Sequence, residues 1–92
     1  MRNLLEHWGP EFGEAEVAPL VDGVWRCQLG SETFILKHRT NRTRVWEEYD
    51  LLKWLVDNGQ PASLLLCTEE GVPWAEFEGA IYVLYPYLEG TP

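Results

Sequence analysis

A strand that ends in a lysine, followed by a helix whose apolar stripe surrounds a glutamate, constrains this chain more than any other feature. The run Thr33-Phe34-Ile35-Leu36-Lys37 is rich in β-forming residues. Alternation along it places Thr33, Ile35 and Lys37 on one face and Phe34 and Leu36 on the other. The segment from Trp46 to Leu55 reads as helix. At about 100° per residue, Val45, Leu51, Leu52 and Leu55 cluster around Glu48, while Glu47, Asp50 and Lys53 point elsewhere. A carboxylate among apolar neighbours loses hydration and stays ionised only beside a cation or several donors. Lys37 is the strand cation best placed to serve, so the sequence predicts a Lys37–Glu48 ion pair of about 4 Å between strand and helix. Either residue alone is ordinarily a solvated surface group; their order along the chain is what distinguishes them.

Around this centre the chain divides into short elements. Asn3 is placed to cap a short helix through Leu4, Leu5, His7 and Trp8, which Gly9-Pro10 ends. Glu14 to Leu20 and Val24 to Leu29 read as strands joined at Asp22-Gly23, and Gly30-Ser31 turns the chain into the strand that closes at Lys37. Three strands with short turns make an antiparallel meander. The basic connector His38 to Arg44 carries Asn41 and Thr43, either of which can cap the following helix; a loop facing phosphate is the functional reading of the same residues. The helix stops at Asn58-Gly59, before Pro61. An apolar run, Leu64-Leu65-Leu66-Cys67, comes next, then a short strand from Val72 to Glu76, a turn at Glu78-Gly79, and a last strand from Ala80 to Tyr85. The expected fold is α+β: an antiparallel five-stranded sheet with one long helix packed on it and a short N-terminal helix, all in a single domain over residues 1–92. Trp46 and Trp54 fall off the central helical stripe and are expected to pack sideways or against another chain.

Composition removes several classes of function. A net charge of −8 opposes binding to a phosphate backbone, so a nucleic-acid partner is not expected. No apolar run reaches the length of a membrane span, and the N-terminus lacks the charged and apolar pattern of an export signal. A cytoplasmic location is the expectation. Cys27 and Cys67 have neither CxxC spacing nor nearby histidines, and both are read as small buried hydrophobes. No metal-ligating residue is assigned.

This order of elements resembles the small N-terminal lobe of the protein-kinase-like fold, and more narrowly the aminoglycoside phosphotransferase and choline kinase group. The residues that carry the resemblance are Gly23-Val24-Trp25-Arg26-Cys27, Thr33 to Lys37, Glu48 to Leu55, Gly71 with Pro73, and Tyr82-Val83-Leu84-Tyr85-Pro86-Tyr87-Leu88-Glu89-Gly90. The resemblance covers nearly the whole chain and ends at an inter-lobe hinge near residues 85–90. A GxGxxG phosphate loop is missing, which turns the likeness away from protein kinases and toward the phosphotransferases.

The resemblance implies that Lys37 contacts the α and β phosphates of ATP and that Glu48 holds its ammonium in place. It implies that Gly23 belongs to the nucleotide-binding residues, that Val24 and Ile35 line the adenine pocket, and that the Pro86 carbonyl and the Leu88 amide meet the edge of the base. Gly90 would allow the turn into a second lobe. ATP and Mg2+ are then the cofactors of the parent enzyme, its acceptor an unknown small molecule held by that second lobe. These 92 residues alone are expected to transfer no phosphate, and to self-associate through the hinge-side face of Tyr85, Tyr87 and Leu88. Two other readings stay open: a non-catalytic α+β protein-interaction module, and a pseudokinase-like fragment that holds nucleotide without chemistry.

Overall fold

The computed structural model describes residues 2–88. A short helix α1 (Arg2–Leu5) leads through two 3-10 turns, Glu6–Trp8 and Pro10–Glu14, into β1 (Glu16–Val21), β2 (Val24–Leu29) and β3 (Glu32–Arg39). The long helix α2 (Arg42–Asp57) follows, and β4 (Ala75–Phe77) and β5 (Ala80–Pro86) complete one five-stranded sheet in the order β1-β2-β3-β5-β4. All neighbours are antiparallel. The α+β fold expected from the sequence is therefore the one observed.

The turns form where the sequence offers positive-φ residues. Gly23 at φ 75° closes the β1–β2 hairpin, and its carbonyl accepts from the amide of His38 at 2.8 Å, which ties that turn to β3. Glu78 and Gly79, at φ 52° and 80°, supply the paired left-handed residues that a tight β4–β5 hairpin needs. Asn41 caps α2 by accepting from the amide of Arg44 at 3.2 Å. At the other end Asn58 donates to the Trp54 carbonyl and Gly59 turns left-handed, so the helix stops where the sequence places its stop.

Alternation along the strands sends side chains to two different cores. On one face Cys27, Phe34, Leu36 and Leu84 are buried under Leu4, Leu5, Trp8 and Phe12 of the N-terminal segment. Phe12 meets Phe34 edge to face at 5.1 Å, and the Trp8 indole donates to the Leu66 carbonyl at 3.0 Å. The second core lies on the α2 side, where Val45, Val83 and Leu65 are buried, with Tyr49, Leu52, Trp74 and Tyr85 packed around them. Asn3 sits inside α1 and does not cap it, and the N-terminal segment is a true lid on the sheet.

One expectation about burial is corrected. Leu51 is 59% exposed, because the face of α2 that meets the sheet runs through Val45, Tyr49 and Leu52, and Leu51 lies round the helix from it. The run Leu64-Leu65-Leu66-Cys67 forms no strand. It passes the end of β5, where the Leu66 amide donates to the Leu84 carbonyl at 2.8 Å, and among the described residues that bond is not extended into a ladder.

Candidate functional site

Three strands present side chains to the space beside the C-terminal half of α2. Val24 and Lys37 are register partners across β2 and β3, and Lys37 is paired with Val83 on β5. Ile35, two residues before Lys37, faces the same way. Leu52 and Leu55 from α2 and Pro61, Ala62 and Ser63 from the connector close the other wall. Tyr85, Pro86, Tyr87 and Leu88 form the rim, and together these residues enclose a cleft of about 490 Å³. Five of the positions singled out from the sequence, Val24, Ile35, Lys37, Pro86 and Leu88, line this one cleft. Gly23 does not line it; it makes the turn that delivers Val24.

The Lys37 ammonium lies 5.4 Å from the centre of the Tyr85 ring, a cation–π contact that the sequence reading did not include. Pro86 is paired with Phe34, so the strand rise puts the Pro86 level about 10 Å along β3 from Lys37. A charged group and a main-chain carbonyl thus sit at opposite ends of an apolar slot. The carbonyl of Pro86 already accepts from the Ser63 hydroxyl. A carbonyl oxygen carries two lone pairs, so one acceptor direction remains. The amide of Tyr87 is used by the Thr33 carbonyl at 2.9 Å.

Glu48 does not pair with Lys37. Its carboxylate takes a two-point contact from Arg39, Nε to Oε1 at 3.2 Å and Nη2 to Oε2 at 3.1 Å, with both side chains about two-thirds buried (30% and 33% exposed). The reason lies in the length of β3. The strand does not close at Lys37 but continues through His38 and Arg39, which pair with Tyr82 and Ile81 of β5. Arg39 then shares the face of Lys37 and arrives under the start of α2, and its planar fork suits a carboxylate better than an ammonium does. Glu48 with Arg39, Thr40, Asn41 and Arg44 lines a separate open cleft of about 550 Å³. The pattern that puts Thr33, Ile35 and Lys37 on one face could have named Arg39 had the strand been read two residues longer.

The cysteines differ from each other. Cys27 is fully buried, and burial pushes its thiol up to about 11, so it stays protonated and unreactive. Cys67 is exposed, against the sequence reading, because the connector turns it outward as Leu65 turns in. It sits beside Tyr49, whose hydroxyl is raised above its ordinary value first by the hydrogen bond to Cys67 and then by the charge it would face on ionisation.

Among the described residues no three histidine, cysteine or carboxylate side chains converge into a metal site made by protein ligands alone, and no step is assigned to Mg2+. No helix among them is long and apolar enough to cross a membrane. No model of a known protein family matches the chain, and no curated protein matches it either.

Proposed function

We propose that the 490 Å³ cleft is a nucleotide site and that the chain is the ATP-binding small lobe of a small-molecule phosphotransferase of the aminoglycoside phosphotransferase type, working in the cytoplasm. The observation that carries this reading is the convergence of Val24, Ile35, Lys37, Pro86 and Leu88 on one cavity, although they come from three strands and the segment after them. The size falls within the range of small-molecule sites, about 300–1,000 Å³.

The chemistry of the lining suits a purine nucleotide. Val24, Ile35, Leu52 and Leu55 offer apolar surface to a flat base, the free acceptor direction at Pro86 suits an exocyclic amine, and Lys37 offers a cation to phosphate about 10 Å away. On this reading metal ligands and the acceptor site belong to a second lobe, and these 92 residues bind nucleotide without transferring phosphate. The affinity is then low, about 4 kcal/mol or millimolar, since only one side of the nucleotide is held. Glu48 is not needed to position Lys37, whose neighbour is the Tyr85 ring.

Titration of the 92-residue chain with ATP, followed by amide NMR, tests the proposal. Saturable shifts at Val24, Ile35, Tyr87 and Leu88, weakened in Lys37→Ala for ATP but little changed for adenosine, are expected. Shifts that never saturate, or that ignore Lys37→Ala for ATP, would reject it. A protein-interaction module is the second reading, favoured by Leu51 and Trp54, which stand 59% and 60% exposed on one side of α2. It predicts that Leu51→Ser and Trp54→Ser abolish capture of a partner while leaving the ATP titration untouched.

A further inference from the structure

The side of α2 turned away from the sheet carries an apolar pair that is left mostly in water. Leu51 and Trp54 lie three residues apart, about 60° round the helix from each other, and both are exposed. Neither lines the 490 Å³ cleft, whose α2 wall is Leu52 and Leu55. At three and four residues from this pair stand Glu47, Asp50, Asp57 and Asn58 on the outer side, with Glu48 and Leu55 toward the sheet. Glu48 is held by Arg39 and Asp57 by Lys53 at 3.5 Å, whereas Glu47 and Asp50 make no ion pair among the described residues. Of the remaining cations of the helix, Arg42 is held by Glu76, and Arg44 lies about two turns from Leu51 toward the N-terminal end. The apolar pair is therefore bordered by uncompensated negative charge.

We infer that this face docks a basic amphipathic helix of a partner protein, with aliphatic side chains of the partner against Leu51 and Trp54 and its lysines or arginines against Glu47 and Asp50. The inference deepens the protein-interaction reading and does not depend on the nucleotide reading. Charge complementarity selects the occupant: an apolar pair rimmed by carboxylates, on a chain of net charge −8, attracts a cationic surface and steers it in. Trp54 adds to the same preference. Trp46 is packed edge-on to Tyr49 and Trp74, but the Trp54 ring makes no aromatic contact among the described residues, so its π face is open to a lysine or arginine head that Asp50 can also reach. A helix fits the shape, since side chains at this spacing form a ridge that packs into the groove of another helix. A second copy of the chain fits less well, because a pairing that covers Leu51 and Trp54 brings Asp50 and Asp57 toward the same carboxylates of the other copy.

The test is an amide NMR titration of the whole 92-residue chain with a synthetic helix about four turns long, leucine at heptad spacing and lysine elsewhere. Two controls accompany it: the same residues in an order that breaks the leucine stripe, and the same stripe with glutamate in place of lysine. Saturable shifts from Glu47 to Asn58 and at the Trp54 indole, with the basic amphipathic peptide alone, support the assignment. Trp54→Ser is expected to weaken binding about tenfold, and Glu47→Gln combined with Asp50→Asn about fivefold, with melting temperatures unchanged because these side chains stand in water. Leu20→Ser, at an exposed leucine on β1, is expected to leave binding unchanged. Equal binding of the reordered peptide, shifts centred on Leu20 or Tyr87, or indifference to Trp54→Ser would overturn the inference. Binding of the glutamate peptide at the same residues would overturn the sign of the partner while leaving the face as an interaction surface. A dimer of the chain alone that Leu51→Ser and Trp54→Ser abolish would assign the face to a second copy and overturn the inference too.

Discussion

Arg39 and Glu48 hold each other through two parallel hydrogen bonds, 3.2 and 3.1 Å long, and this pair is what joins the end of β3 to the second turn of α2. Lys37, one strand period away, takes no part in it. A two-point contact at a half-buried position stabilises more than an isolated surface pair, on the order of 1 kcal/mol. Arg39→Ala and Glu48→Gln are each expected to lower unfolding free energy by about that amount in urea titration, with a double-mutant cycle showing coupling between them. The same cycle run between Lys37→Ala and Glu48→Gln should show none. Coupling in the second cycle and not the first would restore the pairing read from sequence.

Removal of buried leucine side chains is expected to sort by position. Leu5 and Leu36 are both almost inaccessible and belong to one core, so Leu5→Ala and Leu36→Ala should each cost about 2–5 kcal/mol. Leu51→Ala should change stability by less than about 0.5 kcal/mol, since the side chain stands mostly in water. Chemical denaturation of the three variants decides this, and a large loss at Leu51 would mean that α2 packs on a different face.

Much of this arrangement was legible in the residues. Alternation in Thr33 to Lys37 determined which side chains share a face and so placed Ile35 and Lys37 together in the cleft, whereas Val24, Pro86 and Leu88 came from the family resemblance. Asn41 and Asn58-Gly59 marked the ends of α2 through the chemistry of their own caps. What could not be read depended on partners distant in sequence. Pairing with Ile81 and Tyr82 carries β3 on to Arg39, and nothing local to His38 and Arg39 announces that extension. Leu51 is apolar by type yet has no neighbour to bury it, and Cys67 ends an apolar run but faces outward.

The thiols provide a prediction in pH. Cys27 has its folded-state value raised from 9.0 to about 11, so the folded chain holds a proton that the unfolded chain gives up earlier. Its contribution is fully present below about pH 9 and is lost as pH rises toward 11. Stability of the wild type should therefore fall more steeply across that window than stability of Cys27→Ala, by about 2–3 kcal/mol at most. Urea midpoints measured at pH 8 and pH 10.5 for both proteins check the sign; parallel losses would place the titration elsewhere.

Alkylation reads out the same contrast directly. Iodoacetamide at neutral pH is expected to label Cys67 in the native protein and to reach Cys27 only on unfolding. Intact-mass analysis before and after adding urea should show one adduct and then two. Two adducts under native conditions would mean that the face holding Cys27 opens readily.

Tyr87 and Leu88 expose apolar surface at the rim of the 490 Å³ cleft, and on the proposed reading that surface meets another lobe or another copy. Sedimentation at rising concentration is expected to show reversible dimers, reduced by Tyr87→Ser. A chain that stays monomeric at millimolar concentration would argue against self-association through this face.

The lid of Leu4, Leu5, Trp8 and Phe12 has a consequence for the order in which the molecule comes together. Leu84 belongs to the same core, nearly the full length of the chain later, and the Trp8 indole needs the Leu66 carbonyl. During synthesis this segment leaves the ribosome before Leu84, one of the residues that bury it, and Leu66, which accepts from Trp8, have been made. Trp8 must therefore find Leu66 and Leu84 across a long loop, whose closure entropy falls on the rate of folding more than on final stability. Until β5 is complete, two leucines, a tryptophan and a phenylalanine of this segment are only partly covered, which makes it a natural place for a chaperone to hold the chain.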